Sequence, residues 1–313
     1  MTARALVDRG GTLIGLALVA GIFGLLIGAP FFAPANLELM ARQTAIVGMA
    51  ALGMTMVIVA GGIDLSVGSV IALSTVVIAL LLKGDYGPWA AALGGIGAGA
   101  ICGLGNGLLI TRLRVVPFIV TLGTMLVVRG AAKGLADERR IEAPTTWLND
   151  LLRSGAHGGF LPAGIWLLAA LALMVGGVLG YTRFGRHLFA IGSNERMARL
   201  CGVRVERTKV AVYAAAAAFA GAAGLLQFSK LSVGDPTVAV GLELDVIAAV
   251  IIGGGSLSGG RGTIAGTLVG ATIMTLIQIG CSQKGLPNWV QQIVTGGIIV
   301  AAVALDRVRS ARS

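Results

Sequence analysis

Charge is scarce in this chain. Of its 313 residues only 12% are Asp, Glu, Lys or Arg, against about a quarter in a soluble domain. So little charge cannot cover a water-facing surface, which excludes an ordinary soluble protein. Cysteine is nearly absent as well. Cys102, Cys201 and Cys281 are an odd, scattered set, with neither a disulfide framework nor metal-ligand spacing. There is no G-x-x-x-x-G-K-[ST] loop, so the chain is not expected to bind and hydrolyse ATP itself. There is no H-E-x-x-H, and the two histidines, His157 and His187, are far apart in polar segments. Neither is placed to serve a nucleophile inside a bilayer, so an enzyme is a poor reading, and no cofactor is expected.

What remains is apolar. Hydrophobic residues make up 56% of the chain and the mean hydropathy is +0.90, which places it among polytopic membrane proteins. Spans need about 20 mostly apolar residues. Ten candidates follow, at roughly 12–30, 44–60, 65–82, 88–110, 115–133, 161–181, 209–228, 239–253, 262–281 and 288–305. The expected fold is all-α: a transmembrane helical bundle of about ten spans, forming a single domain over 1–313. The span at 239–253 is short and carries Glu243 and Asp245 near its start. No small-x-small cleavage site follows the first apolar run, so that run is expected to stay as a span.

Basic residues set the orientation. With the N-terminus inside, the inside segments hold Arg4, Arg9, Arg112, Arg114, Arg183, Arg186, Arg196, Arg199, Arg204, Arg207, Lys209, Arg261, Arg307, Arg309 and Arg312. Those fifteen of the 24 bases face only Asp8, Asp64, Glu195, Glu206 and Asp306, so the whole formal charge of +10 falls on one side. Both termini are then cytoplasmic. The high pI, about 10.4, follows from this bias, and no nucleic-acid partner is expected.

Glycine is abundant, at 49 residues. Gly95, Gly99, Gly103 and Gly107 recur every fourth position, as do Gly262, Gly266 and Gly270. Such stripes let another helix backbone approach closely. They read as packing within one chain or, more sharply, as a homodimer seam. Two segments, Gly61-Gly62-Ile63-Asp64-Leu65-Ser66-Val67-Gly68 and Gly253-Gly254-Gly255-Ser256-Leu257-Ser258-Gly259-Gly260, share a G-G-x-x-L-S-x-G pattern. Dense glycine ends a helix, and Ser or Asp can cap the next. They read either as broken helices lining a cavity, the relics of an internal repeat, or as tight turns at the surface. Gly62, Asp64, Ser66, Ser256 and Ser258 are the pathway candidates. Asp64 lies between apolar runs, where an acid is costly unless capped, paired or solvated. It reads as a helix cap or as a proton or cation site.

The longest polar interruption runs from Thr182 to about Lys209 and is strongly basic. It can hold a short helix from about Glu195 to Cys201, helped by the i,i+4 pair Glu195–Arg199. Its bland reading is a solvated loop obeying the positive-inside rule.

Four motifs, in order, carry a resemblance over about 40–305. They are Gly61 to Ser69, Pro117-Phe118-Ile119-Val120-Thr121-Leu122-Gly123-Thr124-Met125, Gly185-Arg186-His187-Leu188-Phe189-Ala190-Ile191-Gly192-Ser193-Asn194, and Gly253 to Thr263. Together they resemble the permease subunits of ribose-type ABC monosaccharide importers, in the branched-chain amino acid/sugar permease superfamily. Gly255 departs from the Thr or Ala found there in many relatives. The resemblance implies a multi-pass inner-membrane permease homodimer, surrounded by lipid, with a cytoplasmic ATPase subunit and a periplasmic sugar-binding protein. The basic segment, about 182–208, becomes the expected ATPase-coupling loop, with Gly185, Arg186, Asn194, Glu195 and Arg199 as its candidates. Charge reversal at Arg186 and Arg199 is expected to uncouple ATP hydrolysis from uptake. Sixteen aromatics are few for a sugar site built on ring stacking, which agrees with selectivity held by a separate binding protein. Two other classes stay open: an ion-coupled secondary transporter using Asp64 with the broken helices as its site, and a scaffold subunit without a conduit.

Overall fold

Helices dominate because an apolar chain in lipid must satisfy its backbone polar groups internally. The computed structural model describes residues 3–153 and 161–311, with side chains described over 11–153 and 161–304. His157 and Arg312 lie outside the described residues, as do the side chains of Arg4, Asp8, Arg9, Asp306, Arg307 and Arg309. Twelve α-helices fill the described residues: α1 Ala3–Ile27, α2 Pro34–Val59, α3 Val67–Lys83, α4 Pro88–Leu113, α5 Pro117–Leu135, α6 Ala163–Tyr181, α7 Arg183–Ser193, α8 Glu195–Leu200, α9 Val205–Leu231, α10 Leu242–Ile252, α11 Ile264–Gln283 and α12 Asn288–Ala311. Six of them, α2, α4, α5, α6, α9 and α11, are long and apolar enough to cross a membrane, and shorter apolar stretches lie in α1, α3 and α12. The chain is thus an all-α polytopic bundle.

The expected span at 239–253 is different. α10 has only 11 residues, or about 16 Å at about 1.5 Å per residue. That is half of a ~30 Å hydrocarbon core. An extended segment leads into it. β2 (Val233–Gly234) pairs antiparallel with β1 (Ile141–Glu142), Ile141 opposite Gly234, and the chain then runs on to Gly241 before α10 starts.

α2 lies at the centre, with residues 45–60 all buried. Around it the helices approach through small residues. A Cβ on Gly99 would overlap the Ala217 carbonyl oxygen, one on Gly103 the Tyr213 carbonyl oxygen, and one on Gly107 would sit 2.7 Å from the Val210 Cα. The first stripe therefore seats α4 on α9. In the second stripe, Gly266 meets the Gly253 carbonyl and Gly270 the Ala249 carbonyl, which seats α11 on α10. Both stripes pack within the chain. Dispersion contacts at such distances hold helices together where lipid removes the hydrophobic drive between them.

Candidate functional site

The two glycine-rich segments end their helices in the same way. After α2, the Gly61 N–H donates to the Ile58 carbonyl and the Gly62 N–H to the Val57 carbonyl, both at 2.9 Å. After α10, Gly254 donates to Ile251 at 2.9 Å and Gly255 to Val250 at 2.8 Å. Each is a Schellman cap, with a left-handed residue at Gly61 (φ 77°) or Gly254 (φ 91°). Geometrically Gly61 matches Gly254 rather than Gly253. The shared pattern read along the sequence is one residue out of register, so its Leu-Ser match is not a structural equivalence.

Beyond the caps the segments diverge. The first is short and anchored by side chains. Asp64 Oδ1 accepts from the Ser66 backbone N–H at 2.8 Å and from Ser66 Oγ at 2.6 Å, and Asn106 Nδ2 donates to Ser66 Oγ at 3.0 Å. The Ile63 carbonyl accepts from Thr121 Oγ1 at 3.3 Å and from the Tyr213 hydroxyl at 3.4 Å. Asp64 is only 1% exposed, and its Oδ2 has no hydrogen-bond partner among the described residues. Its Oδ1 closes a turn onto Ser66, and Ser66 rather than Asp64 directly precedes α3, with no side chain capping that helix. Gly62 is buried beneath the Tyr213 hydroxyl, and with Gly61 it borders a hollow of about 10 Å³, hardly a water's worth. The second segment turns on itself through Gly259 N–H to the Ser256 carbonyl (3.0 Å) and Ser256 N–H to the Arg261 carbonyl (3.2 Å). Ser256 is buried and Ser258 exposed. The five pathway candidates thus fall into two separate groups.

The short helix α10 points its start at the start of α3. A Cβ on Gly68 would overlap Glu243 and the Ala239 carbonyl. Two helix N-termini therefore meet, that of α3 after the irregular segment 62–66 and that of α10 after the turns of 236–241, an arrangement compatible with broken helices. The run of turns before α10 is held by Arg129 of α5, whose Nη1 donates to the Pro236 carbonyl at 3.0 Å and the Val238 carbonyl at 2.7 Å. Arg129 lies about 18 Å along α5 from Pro117. Arg129 is not among the bases assigned to the inside by the charge count. The available signal was a lone arginine inside the expected span 115–133 together with an Asp235-Pro236 pair that could not continue a helix.

The basic segment forms two helices where one was expected. Thr182 caps α7, its Oγ1 accepting from the Gly185 N–H at 3.2 Å, and Asn194 caps α8, its Oδ1 accepting from the Met197 N–H at 3.0 Å. A Cβ on Gly185 would overlap the Leu179 carbonyl, so the tight corner from α6 into α7 needs glycine there. α7 buries Gly185, Leu188 and Ile191 and exposes Arg183 and Arg186. Glu195 pairs with Lys209 at 2.6 Å and with Arg199 at 3.3 Å, and Arg199 also pairs with Glu206. Burial by itself would raise the Glu195 carboxyl, but Lys209 and Arg199 hold it below its ordinary value. Glu195 and Arg199 therefore tie α8 to α9, and reversing Arg199 would break that internal network as well as any outer contact. The free face of α8 carries Arg196, Met197 (55% exposed) and Leu200 (82% exposed), an apolar tip beside a basic residue.

Gly192, near the end of α7, brings these parts together. A Cβ there would overlap the Val59 carbonyl oxygen and lie 2.5 Å from Gly260 N. Val59 O in turn accepts from Gly260 N–H at 2.9 Å. A Cβ on Gly259 would lie 2.7 Å from Gly192 O and 2.9 Å from Gly61 Cα. Bare backbone from the basic segment is thus wedged between the two helix breaks.

This architecture, broken helices around a buried α2 with a helical basic segment seated on both breaks, defines a membrane permease. Residues 36–303 match the family described as branched-chain amino acid transport system / permease component, and the chain belongs to it. It is 41% identical over 305 residues to the ribose import permease protein of Bacillus subtilis strain 168, covering 96% of this chain and 93% of that one. Identity is 36% to the ribose import permease protein of Escherichia coli K12 (94% and 92% covered) and 33% to the fructose import permease protein of Rhizobium meliloti (94% and 84% covered). No solved structure matches.

Proposed function

We propose that this chain is the permease subunit of an ATP-binding-cassette importer of the inner membrane, moving a monosaccharide into the cytoplasm. The names of its relatives, ribose and fructose import permeases, support the substrate class. One observation carries the mechanism: Gly192 places the backbone of α7 directly against both helix breaks. A separate ATPase that grips α7 and α8 from the cytoplasm would push on both breaks at once. Broken helices that meet at their starts can then rock between two packings. Exposed Met197 and Leu200, with Arg196 on the same helix and exposed Arg186 on α7, are the contact with the ATPase. A periplasmic binding protein delivers the sugar, and two copies of the single permease domain form the conduit.

The test is co-reconstitution in liposomes with the ATPase and the sugar-binding protein. Leu200→Glu alters an exposed side chain, so its effect on folding should stay within about 0.5 kcal/mol. It is expected to abolish both ATPase stimulation and uptake. Unchanged stimulation and uptake would overturn the docking role of α8. The buried, unpartnered Asp64 Oδ2 favours a second reading, ion-coupled transport. Proton-driven uptake by this chain without any ATPase would establish that reading instead.

A further inference from the structure

An apolar groove of about 420 Å³ lies between the end of α4 and the start of α9, bordering the α8–α9 ion-pair network at Glu206. Its cause is the small-residue seam: Gly103 and Gly107 draw α4 against α9. Leu104 and Leu108 then form one wall, and Ala211 and Ala214 leave the opposite wall hollow. The groove runs from Leu104 to Arg112, about 12 Å along the helix. At its mouth stand Arg112 and Arg207, both exposed and without an ion-pair partner among the described residues. Glu206 also borders the mouth, but its carboxylate is already engaged by Arg199.

We propose that this groove binds an anionic phospholipid, one acyl chain lying along Leu104 and Leu108 and the phosphate held between Arg112 and Arg207. Assigning the lipid to the cytoplasmic leaflet rests on the orientation used for the proposed function. The charge arrangement selects this occupant. An apolar slot ending in two unpaired arginines at a membrane boundary matches a lipid with a negative headgroup. A second copy of the chain fits less well, because a two-fold axis through the groove would bring two such arginine pairs face to face.

Native mass spectrometry of the purified full chain, with phosphatidylglycerol or phosphatidylcholine added to the detergent, tests this. Phosphatidylglycerol is expected to stay bound in preference to phosphatidylcholine. The double variant Arg112→Gln/Arg207→Gln should weaken that adduct roughly thirtyfold, while Arg112→Lys/Arg207→Lys keeps the preference. Ala214→Trp, which fills the slot and leaves both arginines, should lose the adduct as well. Equal retention of the two lipids, or a wild-type adduct in the double Gln variant or in Ala214→Trp, would overturn the proposal. So would loss of dimer mass in Ala214→Trp with the lipid adduct intact, which would assign the groove to a second copy. The measurement needs neither ATP nor sugar, so its failure would leave the importer reading standing.

Discussion

The two helix breaks start alike and finish differently. Both leave their helix through a Schellman cap on a left-handed glycine, Gly61 or Gly254. The first then becomes a buried polar knot, in which Asp64, Ser66, Asn106, Thr121 and Tyr213 satisfy the extended chain from three other helices. The second is longer and turns back through Gly259 N–H to the Ser256 carbonyl and Ser256 N–H to the Arg261 carbonyl. It meets α2 through Gly260 N–H to the Val59 carbonyl, and leaves Gly254, Ser258 and Arg261 exposed. Side-chain bonds across helices fix a segment to its neighbours, whereas a turn closed by its own backbone can shift as a unit. Under the importer mechanism proposed above, the first break serves as the fulcrum and the second as the moving element, with Gly192 touching both.

The largest effect is expected where both breaks are struck together. Gly192→Val would force a side chain into the Val59 carbonyl and Gly260 N. Overpacking of that kind costs about 1–3 kcal/mol, read as a lower melting temperature in detergent. Coupled uptake should fall further than the melting shift accounts for, because α7 can no longer rest on either break. Normal uptake in this variant would remove Gly192 from the coupling path.

A second contrast separates fulcrum from mover. Asp64→Ala leaves the buried Ser66 N–H without an acceptor, at a cost of about 1–3 kcal/mol. Asp64→Asn keeps an oxygen at Oδ1 and should cost clearly less. Ser258→Ala, on the exposed turn, should stay within about 0.5 kcal/mol. Equal thermal shifts for Asp64→Ala and Ser258→Ala would erase the distinction between the breaks. Uptake retained by Asp64→Asn together with the ATPase would also count against Asp64 as a coupling acid.

The smallest effect lies in the α8 network. Lys209 and Arg199 hold the Glu195 carboxyl below its ordinary value despite its partial burial. Its folded value is therefore below the unfolded one, near about 4.3. The contribution is present above that unfolded value and fades as pH falls through the folded one. The pairs are partly exposed, so no more than about 1 kcal/mol is expected. Melting curves of wild type and Glu195→Gln from pH 7 down to pH 3 should converge at the acid end. A gap that persists or widens there would contradict this.

Much of the architecture was legible from residues alone. Apolar runs announce helices because lipid leaves a backbone no other partner, and the helices found match most of the expected spans. The pairing of Glu195 with Arg199 was legible from helical spacing, whereas the hold of Asp64 on Ser66 differs from the helix cap or cation site read from its place before an apolar run. The half-length of α10 was foreshadowed by Glu243 and Asp245, yet hydropathy cannot tell a half-span preceded by extended chain from a tilted full one. α7 was missed because its arginines read as loop, although a capping Thr182 stood at its start. The role of Arg129 was not legible because its partners, the Pro236 and Val238 carbonyls, are backbone atoms more than a hundred residues away.

By itself the sequence determined the class of the protein: a basic, glycine-rich chain too apolar for water. Its glycines declared that backbones would come close, since a missing Cβ is a local property. Only the tertiary structure decided which backbones meet. Gly192 meets Val59, Gly61 and Gly260 because chains distant in sequence pack without side chains between them, and no local pattern specifies that choice.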